Sequence, residues 1–253
     1  MNAGTASVLE RRTGSVQQSA APDGRRRDCE RPQVSAIVSR TGMRATLSRI
    51  IGPAIRSLSR ELVHGSKPVF VELRPVPGAA VKDCFRVVAD KVVLDGGEIV
   101  CGWRFWEMPA VFVEAEFHAV WRRPEGDLLD ITPLPNEIGS YERVLFVPDP
   151  ARVYEGRQVN NVRRALTQDP SVHEFFRACD DFFELMNRGT RAIQHGAITL
   201  AGAERDEWIN IESRKTSALR EVLTRLPQPS RNDPCPCGSV HDHQGPQDVP
   251  DAK

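Results

Sequence analysis

Over residues 111–122 apolar and polar side chains alternate: Val113, Ala115, Phe117, Ala119 and Trp121 share one parity, Glu114, Glu116, His118 and Val120 the other. A period of two marks a strand that turns one face to a core. Similar chemistry predicts strands over residues 68–73, 98–106 and 143–147. The Pro124-Glu125-Gly126 step puts glycine where a tight turn needs positive φ, so residues 127–132 return beside the first strand. The result is a small antiparallel sheet of four or more strands.

Helical spacing brackets these strands. Leu47, Ile50, Ile51, Ala54, Ile55, Leu58 and Leu62 recur at steps of three and four, with Arg49, Arg56 and Arg60 elsewhere on the wheel. This predicts an amphipathic helix over 47–62, bent at Pro53, whose apolar face packs on the following domain. Asp83 stands as an N-cap before a helix that begins at Cys84, buries Phe85, Val88, Ala89, Val92 and Val93, and is closed by Gly96 and Gly97. Three further helices are expected over 160–168, 171–187 and 203–225. Phe175, Phe176, Cys179, Phe182, Phe183 and Met186 form a core stripe on the second of them.

The fold class is therefore α+β: a sheet with a packed N-terminal helix over 43–150, a helical extension over 151–226, and a polar linker and tail over 227–253. Residues 1–42 are rich in Ser, Gly, Ala, Arg and Gln without periodicity, which predicts a disordered arm.

Charge refines this picture locally. Lys+Arg and Asp+Glu both number 34, so the whole chain presents no field that would draw nucleic acid or an anionic membrane. Residues 1–64, by contrast, hold eleven arginines against five acids. No aromatic residue interleaves the arginines of the arm, so contact with nucleic acid would be nonspecific and salt-dependent. No apolar run approaches the roughly 20 residues that span a bilayer, and the N-terminus lacks the apolar centre of a secretory signal. A cytoplasmic location is expected. There the six cysteines would stay thiols, with metal binding or nucleophilic chemistry as their special use.

Cys84, His118 and Asp130 offer such chemistry. A thiol in the first turn of a helix feels the partial positive charge of unpaired N–H groups, which favours thiolate. If residues 124–126 form a three-residue loop, Arg123 pairs with Asp127, Val120 lies opposite Asp130, and His118 sits one diagonal away on the same face. An Asp accepting from one imidazole nitrogen would leave the other to deprotonate a thiol. The structural alternative is equally concrete: Cys84 as a small semi-buried residue, His118 as a sheet histidine satisfied by a neighbour, and Asp130 as a cap for the Thr132-Pro133 turn. Cys101, on the neighbouring strand, reads as packing.

Across residues 84–133 the order Cys84, Gly97-Glu-Ile-Val-Cys-Gly102, His118-Ala-Val-Trp121 and Gly126-Asp-Leu-Leu-Asp-Ile-Thr-Pro133 resembles the transglutaminase-like, papain-related cysteine peptidase fold. The resemblance implies Cys84 as nucleophile, His118 as general base and Asp130 as its orienter, acting on an amide or thioester carbonyl of a peptide substrate. The chain departs from that pattern before the nucleophile, where the Pro/Gly-rich run 74–78 replaces a helix.

A second motif lies in the tail. In Pro234-Cys-Pro-Cys237-Gly-Ser two thiols stand one residue apart, held by prolines and followed by a glycine that lets both sulfurs turn to one ion. With Arg231-Asn-Asp before it, the string Arg231 to Ser239 resembles the opening half of zinc-binding tails of the SEC-C type. That resemblance implies one structural zinc, bound by Cys235, Cys237 and a later ligand pair, in an element that often docks protein partners. The usual terminal cysteine pair is absent here, and His241 and His243 stand where they would complete an S₂N₂ set. Two functions follow: a thiol amide hydrolase or acyl-transferase with a targeting tail, or a binding module whose tail recruits partners.

Overall fold

A computed structural model describes residues 45–135, 141–194 and 198–226. The basic arm and the tail with its candidate ligands lie outside them. In chain order the elements are β1 (Thr46–Leu47), α1 (Pro53–Leu62), β2 (Val69–Leu73), α2 (Cys84–Asp95), β3 (Glu98–Met108), β4 (Phe112–Arg122), β5 (Leu128–Asp130), β6 (Arg143–Pro148), β7 (Val162–Ala165), α3 (Pro170–Met186), a 3₁₀ turn over Gly189–Ile193, and α4 (Gly202–Arg225).

The strands run in the order β1-β3-β6-β2-β5-β4-β7, and β3 also pairs with β4. That extra pairing closes β3, β6, β2, β5 and β4 into a small barrel, with β1 and β7 added beside β3 and β4. The sheet is not purely antiparallel, because β2 runs parallel to β5, matching Glu72 with Leu129 and Leu73 with Asp130. Closure pairs most of the edges that an open sheet of this length would expose.

Alternation sorts side chains into an inside and an outside. Val71, Val100, Val120, Val144 and Phe146 meet in the interior, with Leu47. Trp103, Phe105, Val113, Ala115, Phe117, Leu145 and Val147 point outward, where Ile55 and Leu58 of α1 cover them. Ala119, Trp121, Leu129 and Ile131, also outward, lie under Cys84, Val87 and Val88 of α2. A further cluster of Met108, Val111, Phe112, Val172, Val222 and Leu223 ties the α3–α4 pair to the β3–β4 hairpin.

Two glycines permit close approaches. A Cβ on Gly97 would stand 2.2 Å from the Arg122 carbonyl and 2.8 Å from Trp121 Nε1, and the residue has φ +86°. On Gly102 it would meet the Val147 carbonyl at 2.2 Å and the Phe146 ring at 2.5 Å. Both positions are closed to larger side chains.

Three expectations change. The helix over 47–62 starts only at Pro53, and Thr46–Leu47 is a strand on β3. Proline at the first helical position lacks only an N–H that would have been orphaned anyway, so it opens the helix rather than bending it. Residues 160–168 are not helical: Val162–Ala165 pair with Phe112–Ala115 of β4, where β5 no longer covers that edge. The three- and four-residue spacing of Val162, Ala165 and Leu166 mimics a helix, but the open edge and the Arg163–Glu114 ion pair at 2.9 Å decide for a strand. The stripe on α3 is shifted as well. Its fully buried members are Ser171, Val172, Ala178, Cys179 and Leu185, while the phenylalanines are half-buried.

Candidate functional site

The β4–β5 hairpin sets the register at the site. Arg123 N–H donates to the Asp127 carbonyl at 2.8 Å and Gly126 N–H to the Arg123 carbonyl at 2.9 Å, closing the three-residue loop. Trp121 then faces Leu129 and Arg122 faces Leu128. Continued by one pair, Val120 faces Asp130, and His118 lies one diagonal away on the interior face.

His118 Nε2 is 2.9 Å from Asp130 Oδ2, and the two residues are 1% and 0% exposed. Asp130 is saturated. Its Oδ2 also accepts from Arg104 Nη1 at 3.1 Å, and its Oδ1 accepts the Thr132 backbone N–H at 3.1 Å. Arg104, cross-strand from Glu116, donates to Glu116 Oε2 through Nε at 3.2 Å and Nη2 at 2.9 Å. Trp106 Nε1 donates to the same oxygen at 2.6 Å. Two cations and two anions thus neutralise one another inside the barrel, which is how buried charge is tolerated.

The proton positions follow from this balance. For His118, burial and the nearby Arg104 charge oppose the imidazolium, but the Asp130 charge, the Cys84 sulfur and the hydrogen bond to Asp130 outweigh them and hold it up at about 9. For Asp130, burial opposes the charge, yet His118, Arg104 and the Thr132 N–H bring it down to about 2. Burial likewise works against Glu116, and Arg104 with His118 overcomes it and lowers its pKa. Near neutral pH the ring is therefore charged and donates to Asp130. Its Nδ1 is buried without a hydrogen-bond partner among the described residues.

Cys84 stands elsewhere. It opens α2 after Asp83, as its sequence position predicts, and is buried with Val87, Val88, Ala119, Trp121, Leu129 and Ile131 on the outer face of the barrel. His118 has the opposite parity from Ala119 and Phe117 and points inward. The structure brings His118 and Asp130 together and leaves Cys84 across the barrel wall, close enough to influence the imidazole electrostatically but not hydrogen-bonded to it. His118 Nε2 is engaged by Asp130, and its Nδ1 makes no hydrogen bond to the Cys84 thiol.

Cys101, the cross-strand partner of Ala119, is half-buried, and burial raises its pKa. Burial also pushes Cys179 up to about 11. Neither has thiolate character at neutral pH.

Sequence reasoning missed Arg104, Glu116 and Trp106. The signal was present: Glu116 and His118 share a parity on β4, and Arg104 falls opposite Glu116 once the β3–β4 hairpin is set in register.

Cys235, Cys237, His241 and His243 lie outside the described residues. Among the described residues no group of three or more His, Cys, Asp or Glu could hold a metal ion, and no helix is long and apolar enough to cross a membrane. No protein-family model, curated protein or solved structure matches this chain.

Proposed function

We propose that this protein is a non-catalytic adaptor of the cytosol: a rigid barrel scaffold that carries a SEC-C-type zinc-binding tail and recruits protein partners through it. The observation that supports this reading over a thiol hydrolase is the separation of Cys84 from His118 by the barrel wall, with His118 committed to Asp130. The transglutaminase-like arrangement needs thiol and imidazole on one side of that wall. The ion network instead has the character of a specificity device, joining β3, β4 and β5 in one register.

The donor chemistry of the tail fits zinc. Two thiolates and two imidazoles satisfy a tetrahedral borderline-soft ion, and four protein ligands leave no position for a reacting water, so the metal organises the tail. Metal analysis of the full chain purified with zinc should give one ion per chain. Cys235→Ser with Cys237→Ser, or His241→Ala with His243→Ala, should abolish it without moving the thermal midpoint of the barrel. A zinc-free wild-type chain with both tail thiols freely titratable would overturn the reading.

A further inference from the structure

One edge of β3 is open where the strand begins. β6 joins β3 only from Gly102, which pairs with Pro148, so Glu98–Cys101 have β4 on one side and no strand partner on the other among the described residues. The Cys101 carbonyl accepts from Asp149 N–H on the open side at 2.9 Å, and alternation aims the backbone groups of Ile99 the same way. A groove of about 720 Å³ runs along this edge, walled by Phe85 and Ala89 of α2 and by Val153 and Tyr154. Its apolar lining is unusually open: Ile99 is 44% and Val153 74% exposed.

At the end of the groove stands Arg152. Its guanidinium lies 5.2 Å from the Trp103 ring centre and 5.7 Å from that of Phe117, an orientation that fixes the fork in place. It donates no hydrogen bond among the described residues. The nearest carboxylate, Asp149 Oδ2, is 3.8 Å away and accepts from Trp103 Nε1 at 3.1 Å instead. The other arginines of the groove are engaged, Arg86 with Asp83 at 2.8 Å and Arg122 with Glu98 at 2.9 Å.

We propose that this edge is a docking site for the free C-terminal end of a partner polypeptide. The segment adds as a strand beside Glu98–Val100, pairing with the outward backbone groups of Ile99, and sets its terminal carboxylate on Arg152. Three features select this occupant. Unpaired backbone groups ask for an extended chain rather than a helix. Asp149 and β6 occupy the edge from Cys101 onward, so an added strand must end there. The side chain waiting at that end is a cation with spare donors, which accepts a carboxylate and repels an amino terminus; the added strand therefore runs parallel to β3. Apolar side chains next to the terminus would fill the wall of Phe85, Ile99 and Tyr154. This site goes beyond the tail-mediated reading and does not depend on zinc.

The test is selection of a random hexapeptide library, displayed with free C-termini, on the full-length protein, followed by affinity measurement of one selected peptide as acid and as C-terminal amide. Enrichment of peptides with apolar ends is expected, with a loss of about tenfold or more on amidation. Arg152→Gln should weaken the acid by a similar factor and leave the amide unchanged. The Cys235→Ser, Cys237→Ser protein should bind like wild type, so this proposal and the zinc-tail reading fail separately. Absence of enrichment, or equal affinity for acid and amide on the wild-type protein, overturns the docking site whatever the variants do.

Discussion

His118 Nε2 and Asp130 Oδ2 lie 2.9 Å apart across one diagonal of the β4–β5 hairpin, and neither residue reaches solvent. The pair matters because a charge that survives only in the folded barrel couples protonation to folding. In the unfolded chain the imidazole loses its proton near 6.5; in the barrel it keeps it to about 9.

The sign of the pH dependence follows from that difference. Between those values the folded state binds a proton that the unfolded state has released, so raising the pH disfavours folding. The His118 contribution is complete below about 6.5 and gone above about 9, a loss on the order of 3 kcal/mol. Asp130 acts in the other direction, its contribution falling away as pH drops from about 4 through about 2. Urea midpoints measured from pH 3 to 10 should peak between about pH 4 and 6.5. A profile flat from pH 6 to 9, or one unchanged by His118→Gln, would show that His118 is not held charged.

Arg104 is the cation that both carboxylates share, so its removal tests the network as a unit. Arg104→Met leaves Asp130 with His118 and the Thr132 N–H, and Glu116 with only the Trp106 N–H. Breaking a buried ion pair from one side costs about 3–5 kcal/mol, and denaturant unfolding should show a loss of that size. Adding Glu116→Gln to Arg104→Met should recover part of it, because the stranded charge is gone. An additive double variant would mean that Arg104 and Glu116 do not interact in the fold.

Much of the barrel was legible because it is written in local chemistry. The Pro124-Glu125-Gly126 turn fixes the β4–β5 register, and from it the diagonal between His118 and Asp130 follows by parity alone. The limits of α2 were equally local, a helix opening at Cys84 and stopping at Gly96. Barrel closure was not legible, since the parallel pairing of Glu72 with Leu129 and Leu73 with Asp130 joins segments with α2, β3 and β4 between them. Without closure, parity alone does not say which face of β4 lies under α2. On an open sheet either face can be brought under a helix, whereas a closed barrel commits one parity to its interior. β7 failed for a related reason, because the open edge of β4 is a property of the assembled sheet and not of residues 162–165.

Gly102 lies on the interior face opposite His118, where a Cβ would meet the Val147 carbonyl at 2.2 Å and the Phe146 ring at 2.5 Å. Neither neighbour can move freely, since one is backbone and the other a buried ring at the barrel centre. Gly102→Ala should therefore cost about 3 kcal/mol or more, toward the severe end for a single methyl group. Thermal denaturation reads the effect directly. A shift in midpoint of only a degree or two would mean that β3 and β6 do not approach as closely as the structure places them.

Thiol reactivity separates the adaptor from the hydrolase. Cys84 and Cys179 are buried and Cys101 half-buried, and burial raises the pKa of Cys101 and takes Cys179 to about 11. Iodoacetamide acts on thiolate, so in the native protein at pH 7.5 the three should label more slowly than the same residues in urea. Site-by-site rates from peptide mass mapping make the comparison internal, and Cys84 decides it. Val87, Val88 and Trp121 pack around Cys84, and the imidazole that would activate it faces the other side of the barrel wall. Should Cys84 alkylate faster in the native protein than in the unfolded chain, an activated nucleophile exists, and the amide hydrolase would replace the adaptor as the better account.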